Sequence, residues 1–330
     1  MKKSLVSIII LNYNGLNDLK ACFDSLYNLT YHNFEIIFVD NNSQDKSVEY
    51  VKRNYKDVKI VELKKNYGFA KGNNLGVAYT KGEYIVLLNT DTEVDINWLS
   101  ELVKIASEYN EVGIVGSKIY YYDDRDIINF GGSSNNILGQ GSQIGAKRTD
   151  SDLLNNTRKS FYACGASILF KRHVYQKIGL FDPSYFAYYE DVDFCWRAWI
   201  FGFDVFFVPT SFLYHKIGRV IKSTNKKRYL GERNRLRTLL INYERKSLFK
   251  ILPTYFWQWF IKINKKLHSD KKSAYNWILM YLKVIFWNII KFRSLIIRRR
   301  FIQLNRIRDD KFIFRLMKEL QEIEKSIMKK

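Results

Sequence analysis

Five short, mainly apolar runs at residues 6–11, 35–39, 58–63, 84–88 and 112–115 set the strongest limit on how this chain can fold. Between them lie longer stretches of helical period, such as 16–29, with Leu19, Cys22, Phe23 and Leu26 on one face. Strands buried on both faces read as near-continuous apolar runs, and strand–helix alternation implies a parallel sheet with right-handed crossovers. An α/β domain with a mostly parallel central sheet is therefore expected over the first 120 residues. Many nucleotide-binding domains share that outline, which by itself says little about chemistry.

The pattern then changes. Residues 127–152 are rich in Gly, Ser and Asn and predict a hairpin or mobile loop. A strand is expected at 161–170. A helix is expected at 191–200, with Val192, Cys195, Trp196 and Trp199 at helical spacing and Gly202 just past its end. A final strand is expected at 203–208, ahead of Pro209.

Charge divides the chain sharply. Residues 1–215 hold 23 Lys and Arg against 25 Asp and Glu, a net −2, whereas 216–330 hold 31 against 8, a net +23. The expected organisation is thus an α/β domain over 1–215 and a basic helical region over 216–330, with a polyanionic partner, an anionic membrane or nucleic acid, for the latter. Hydrophobic residues make up 47% of the chain and Pro only 3 residues, which excludes a disordered protein. Cys22, Cys164 and Cys195 lie far apart without metal-ligand or redox spacing, and read as free thiols in a reducing compartment. The apolar run after Met1-Lys2-Lys3 is too short for a signal peptide, and no later run reaches the ~20 residues that span a bilayer. A cytoplasmic protein is expected.

Ligands of open α/β sheets bind beyond the carboxyl ends of the strands. Asn12-Tyr13-Asn14 follows the first run and Asp40-Asn41-Asn42-Ser43 the second. Asp40 can accept hydrogen bonds from a base or ribose, or equally cap a turn. In the segment from Lys65 through Asn66, Gly68, Gly72 and Asn73 to Asn74, the glycines allow close backbone approach, and the following helix start offers N–H groups to an anion. It has neither a phosphate-loop lysine nor a GxGxxG pattern, and a plain turn explains it as well. Asn89-Thr90-Asp91-Thr92 puts a carboxylate just after a buried strand, where it can bind Mg²⁺ or Mn²⁺ or cap a helix. Tyr189-Glu190-Asp191-Val192-Asp193 crowds three acids into one helical turn. The macrodipole favours them there, yet they repel one another in an aromatic setting, and one can act as a general base. Arg197 can pair with one of them, as a plain ion pair or with a direct role.

Taken in order, these segments resemble the family 2 glycosyltransferases of the GT-A fold, most closely their rhamnosyltransferase-like branch. The resemblance covers about two-thirds of the chain. It runs from Ile8-Ile9-Ile10-Leu11-Asn12-Tyr13-Asn14 through Asp40-Asn41-Asn42-Ser43, Asn66-Tyr67-Gly68-Phe69-Ala70 and Asn89-Thr90-Asp91. It continues with Cys164-Gly165-Ala166, Gly179-Leu180-Phe181-Asp182, Glu190-Asp191 and Arg197 as far as His215. It implies an inverting transferase acting on a UDP- or dTDP-sugar, with a lean towards dTDP-L-rhamnose. Asp40 would hold the nucleobase, Asn12 and Tyr13 its pocket, and Asn66 with Gly68, Asn73 and Asn74 would close over the nucleoside. Asp91 would bind Mn²⁺ or Mg²⁺, with Asn89 in place of the usual first Asp of the DXD triplet and His215 as a further ligand. Asp191 would be the base, with Glu190 the alternate. Transfer of one sugar per event is implied, because the Gln-x-x-Arg-Trp motif of processive synthases is missing.

Over 273–300 the polar residues Asn276, Lys283, Lys291 and Arg298 recur every seven or eight positions, which on one helix leaves a broad apolar face. Such a face with basic flanks suits the surface of an anionic membrane and, with it, a lipid-linked or glycan acceptor in surface polysaccharide synthesis. Packing on the domain or on a second subunit uses the same face. No sequence-specific nucleic-acid motif occurs, although the charge would bind nucleic acid non-specifically. A catalytically silent nucleotide-sugar-binding or scaffold protein is the alternative reading, and a nucleic-acid-binding protein a more distant one.

Overall fold

Val6, Ile8, Ile9 and Ile10 are fully buried, as a strand covered on both faces requires. They form the centre of the sheet in the computed structural model, which describes residues 4–216 and 223–329. The chain opens with β1 (Val6–Asn12), α1 (Leu16–Tyr27), β2 (Phe34–Asp40), α2 (Ser47–Asn54) and β3 (Lys59–Glu62). Next come α3 (Gly68–Val77), β4 (Tyr84–Asn89), β5 (Thr92–Val94), α4 (Trp98–Glu108) and β6 (Val112–Tyr121). Short strands β7 (Ile128–Phe130), β8 (Ser133–Asn135), β9 (Gly141–Gln143) and β10 (Arg158–Lys159) precede β11 (Ser167–Lys171). Two helices, α5 (Arg172–Ile178) and α6 (Glu190–Ile200), then lead to β12 (Asp204–His215).

Among the described residues the main sheet has ten strands, in the order β10-β12-β6-β11-β4-β1-β2-β3, with β5 beside β12 and β7 beside β6. The half β3-β2-β1-β4 is wholly parallel, as the alternation predicts. The other half is mixed, because β11 enters antiparallel between β4 and β6 while β6 and β12 run parallel. This is the mixed α/β architecture of a GT-A sheet with a helical region after it. Register sets Asn12 beside Asp40 and Leu11 beside Asn89, so the loops after β1, β2 and β4 open on one edge.

Two expectations about the strands are corrected. The strand expected over 161–170 begins only at Ser167. Before it the chain is held by Ser133, whose backbone oxygen accepts from Phe161 N and whose hydroxyl oxygen accepts from Tyr162 N, and it turns where Ser167 N donates to Cys164 O. The last strand does not stop at Pro209 but runs on to His215, with its register shifting between Val208 and Phe212, an irregularity at which proline's missing N–H is tolerated. The Gly-rich segment, as expected, includes a hairpin, β8 with β9, whose Ser134 and Ser142 hydroxyls both donate to Glu324.

The basic region forms α7 (Thr224–Asn242), α8 (Arg245–Ser269), α9 (Lys271–Ile290), α10 (Phe292–Leu304) and α11 (Asp310–Met328). Residues 273–300 are not one helix, since the chain breaks at Lys291, and Arg298 turns inward to donate to Leu180 O at 2.6 Å instead of joining an outer polar stripe. The compositional boundary at 216 abuts residues 217–222, which lie outside the described residues. Much of the positive charge is used internally. Arg233, Arg235 and Arg237 are buried along α7, and Arg306 and Arg308 pair with Asp310 and Asp204. Among the described residues no helix is long and apolar enough to cross a membrane.

Candidate active site

The loops after β1 and β2 are tied by short polar side chains. Asn12 Nδ2 donates to Asp40 Oδ1 and to Ser43 Oγ, both at 3.0 Å, and Ser43 N donates to Asp40 Oδ2 at 2.8 Å. Asp40 is buried, with Oδ1 engaged by the neighbouring strand end and Oδ2 by its own loop, so it shapes the strand-end floor. Asn12 Oδ1 is buried without a hydrogen-bond partner. Tyr13, 36% exposed, lies at the mouth.

Asn41, to which the sequence attached no role, connects this floor to the glycine segment. Its amide donates to Asn66 Oδ1 at 3.1 Å and Gly68 O at 3.2 Å, and its Oδ1 accepts from Tyr67 N at 2.8 Å. Gly68 opens α3 with φ +77°, and a Cβ there would overlap the Phe186 carbonyl oxygen, so only glycine fits. Asn73 turns back onto Phe69 O at 3.0 Å. Asn74 donates to Phe181 O at 2.9 Å, and its Oδ1 is buried without a partner. Asn73 and Asn74 thus serve the packing of α3, while Asn66 and Gly68 shape the loop rim.

At the end of β4, Asp91 Oδ1 lies 3.1 Å from His215 Nε2, and the same nitrogen is 3.4 Å from Asn89 Nδ2. The pairing of β12 with β5 delivers His215 here from the far end of the domain. Both side chains of the Asp91–His215 pair are 12% exposed. Among the described residues no cluster of three or more His, Cys, Asp or Glu could hold a metal ion. The pair thus offers two ligand groups of the kind divalent cations accept, and leaves the remaining positions to oxygens from elsewhere.

One loop joins this strand end to the acid cluster. Ala166 O accepts from Asn89 N at 3.1 Å, while the neighbouring Gly165 N donates to Asp191 Oδ2 at 3.0 Å. The Cys164 thiol beside them is pushed up to about 12 by burial and then by the Asp191 charge, so it stays protonated. Glu190 and Asp191 are not equivalent. Asp191 accepts from Gly165 N and Val192 N, donors that favour its charged form against the burial that raises its pKa. Glu190 is buried with Oε2 unpartnered, and burial, then the Asp191 charge, lifts its carboxyl well above the usual range. Of the two, Asp191 is built to carry the charge and Glu190 the proton.

Within this cluster Arg197 pairs with neither Glu190 nor Asp191. It is fully buried, pairs with Asp193 at 2.9 Å, and donates to the carbonyls of Ile178, Gly179 and Leu180. The ion pair expected across the helix is therefore formed with Asp193 and holds α6 to the preceding loop. That loop is unusual, with Phe186, Tyr188 and Tyr189 at φ +64°, +71° and +71°. Bulky residues avoid this region at a cost on the order of 1–3 kcal/mol each unless their surroundings impose it. The surroundings are α7. Asn234 Nδ2 contacts the carbonyls of Tyr185, Ala187 and Tyr188 at 2.7–3.0 Å, and Arg233 donates to those of Ser184 and Tyr185. Arg237 pairs with Asp182 at 2.7 Å. Burial would raise the Asp182 carboxyl, but Arg298 and Arg237 hold it below its ordinary value. Composition marked these arginines as surplus charge, and nothing local in the sequence distinguishes them from solvated ones.

Comparison with known proteins agrees with this architecture. An uncharacterized protein, y4gI, of Sinorhizobium fredii is 30% identical over 225 residues, 64% of this chain and 24% of that protein. The low-salt glycan biosynthesis hexosyltransferase Agl10 of Haloferax volcanii is 27% identical over 197 residues, 58% of this chain and 61% of that one. The matched stretch is thus less than two-thirds of either relative. Among solved structures, GalNAc-T7 with UDP, GalNAc and Mn²⁺ superposes with a TM-score of 0.61 at 19% identity, covering 74% of this chain and 49% of that one. Mannosyltransferase PcManGT from Pyrobaculum calidifontis, in complex with GDP-Man and Mn²⁺, gives 0.55 at 14% identity, covering 92% and 86%. At such identities the likeness is one of fold. Residues 7–179, more than half of the chain, match the family model for glycosyl transferase family 2, and the chain belongs to that family.

Proposed function

We propose that this protein is an inverting glycosyltransferase that moves one sugar from a UDP- or dTDP-sugar, with a lean towards dTDP-L-rhamnose, to a lipid-linked or glycan acceptor. The observation that carries the reading is the loop 164–166, whose adjacent residues touch the Asn89 strand end on one side and Asp191 on the other. The donor would lie over the edge formed by Asn12, Asp40, Asn66 and Gly68, its diphosphate towards Asp91. Mn²⁺ or Mg²⁺ held by Asp91 and His215 would supply charge neutralisation as the nucleoside diphosphate departs. The Asp91–His215 geometry fits such an ion, and two structural neighbours were solved with Mn²⁺ and a nucleotide or nucleotide sugar.

Asp191 takes the proton from the acceptor hydroxyl, whose oxygen then attacks the anomeric carbon. The bond from that carbon to the diphosphate oxygen breaks with its electron pair, and the configuration inverts. Glu190, whose burial beside the Asp191 charge favours its protonated form, stays out of the transfer. Arg197 acts on this chemistry only by fixing the loop before α6.

Exposed Trp257, Phe260, Phe286, Ile290 and Phe292 on α8–α10, flanked by Lys and Arg, support peripheral attachment to the inner face of an anionic membrane. They also support a lipid-linked acceptor over a free glycan.

A donor screen tests the reading. Purified protein is given UDP- and dTDP-sugars with Mn²⁺ or Mg²⁺, beside Asp91→Ala, with thermal-shift binding of the same nucleotides. Slow nucleoside diphosphate release from one donor, lost in the variant or with chelator, is expected. If no donor reacts and no nucleotide binds, with or without metal, the reading fails.

A further inference from the structure

The start of α7 and the turn between α8 and α9 enclose a cleft of about 790 Å³, apart from the strand-end edge. Its walls carry Lys226, Arg228, Lys272 and Lys283, and its apolar lining includes Tyr229 and Trp277. The acid in the lining, Asp270, caps α9 by accepting from Ser273 N at 3.1 Å. Among the described residues none of the four cations forms an ion pair, whereas the arginines farther along α7 and α10 are held by acids and carbonyls. The Arg228 guanidinium carbon lies over the Trp277 ring, 4.7 Å from its centroid. Four unpaired cations around one cleft are the chemistry of a multiply charged anion.

Two neighbours of the cleft say which anion. Leu279 lines it and also begins an exposed apolar stripe on α9 that continues through Leu282, Phe286 and Ile290 at helical spacing. An anionic head bound in the cleft therefore has an apolar track leading away from it. In the other direction, Lys226 Nζ stands 5.5 Å from the centre of the Phe186 ring. Phe186 is five residues before Asp191, a span of at most about 18 Å of extended chain. The Phe186 carbonyl accepts from Phe69 N beside the glycine segment, and the cleft thus borders the loop that leads into the helix bearing Asp191.

We infer that this cleft is the phosphate-binding subsite for the acceptor: it takes the phosphate or diphosphate head of a lipid-linked acceptor, with the hydrocarbon chain along α9 and the sugar reaching towards Asp191. The inference rests on the transferase reading for the role of the bound lipid, but the binding itself is separable from it. Lys272 and Lys283 supply charge, and Trp277 and Leu279 mark where head gives way to chain.

The probes are farnesyl diphosphate, farnesol and inorganic pyrophosphate, titrated calorimetrically into the full chain without divalent cation, which keeps metal-dependent diphosphate binding near Asp91 silent. Farnesyl diphosphate should bind at least about tenfold tighter than either pyrophosphate or farnesol. Lys272→Glu with Lys283→Glu should weaken it by about tenfold or more, the scale of losing charge-assisted contacts. Lys311→Glu with Arg315→Glu, on the exposed side of α11, makes the same change in net charge elsewhere and should leave the binding in place. Equal binding by the cleft variant and the wild type would overturn the inference. So would equal loss in both variants, which would mean bulk charge, or pyrophosphate binding as tightly as farnesyl diphosphate, which would remove the lipid. UDP and dTDP thermal shifts with Mn²⁺ on the same preparations test the transferase reading by itself. A chain that binds farnesyl diphosphate but no nucleotide would sink that reading and leave the cleft standing.

Discussion

Substituting Glu190→Gln and Asp191→Asn separates two carboxyl groups that sequence alone leaves interchangeable. Glu190 is buried with an unpartnered oxygen, and burial, then the Asp191 charge, lifts its pKa well above the usual range, which favours the protonated form that the amide of Gln imitates. Hydrolysis of the nucleotide sugar, with water in place of the acceptor, should therefore stay within about tenfold of wild type, less than about 1.4 kcal/mol in the barrier. Asp191→Asn removes the group that receives the proton and should cost about 10²–10⁴-fold. Because the Asp191 pKa is also raised, the wild-type rate should fall with decreasing pH at a higher pH than the ~3.9 of an ordinary aspartate, and Glu190→Gln should keep that acid limb. Stability supplies an independent reading. A folded-state pKa raised above the unfolded ~4.3 contributes stability that is full below pH ~4.3 and is lost as pH rises through the folded value. Glu190→Gln cannot ionise and escapes that loss. In urea denaturation it should match wild type near pH 4 and become the more stable protein as pH rises, by about 1.4 kcal/mol for each unit between the two pKa values. An inactive Glu190→Gln beside an active Asp191→Asn would refute the assignment.

Arg197→Met leaves Asp193 charged in a dry interior and should lower unfolding free energy by about 3–5 kcal/mol in chemical denaturation. An unchanged denaturation midpoint would contradict the buried pair. Gly68→Ala forces a side chain onto the Phe186 carbonyl at positive φ and should cost about 1–3 kcal/mol, together with weaker nucleotide binding in thermal shift. Trp257→Ser with Phe286→Ser should reduce co-sedimentation with vesicles containing phosphatidylserine, and the binding that remains should fall as salt rises. Equal sedimentation of the variant with neutral and anionic vesicles would contradict the membrane face.

Periodicity made the parallel half of the sheet legible, because strands such as β1 and β4 are apolar on both faces and leave no ambiguity of period. The second half was harder to read. β11 is short and enters antiparallel after a buried, nearly apolar loop, so 161–170 looks like one continuous strand. Pro209 signals a stop, yet it sits at a register shift where its missing N–H costs nothing. In the candidate site, Asp91, Asp191 and His215 bear ionisable side chains at strand and helix ends and stood out accordingly. Asn41 and Asn234 act through backbone carbonyls and amides contributed by distant segments, and no local spacing reveals that. Arg197 shows the converse. A conspicuous charge one turn from the acids proves to be a buried strut, because its partners at 178–180 come from another part of the chain.

The loop 186–189 gives the helical region a consequence for how such a chain can diverge. Its three positive-φ aromatic residues keep their shape through Asn234 and Arg233, which lie beyond the compositional boundary at residue 216. A replacement helical segment of equal charge would keep the net charge but release those carbonyls, and the helix bearing Asp191 starts directly after them. Exchange of C-terminal regions between relatives would in this chain therefore also disturb the start of the helix that carries Asp191. Residue 234 and residues 186–189 should therefore drift together or not at all.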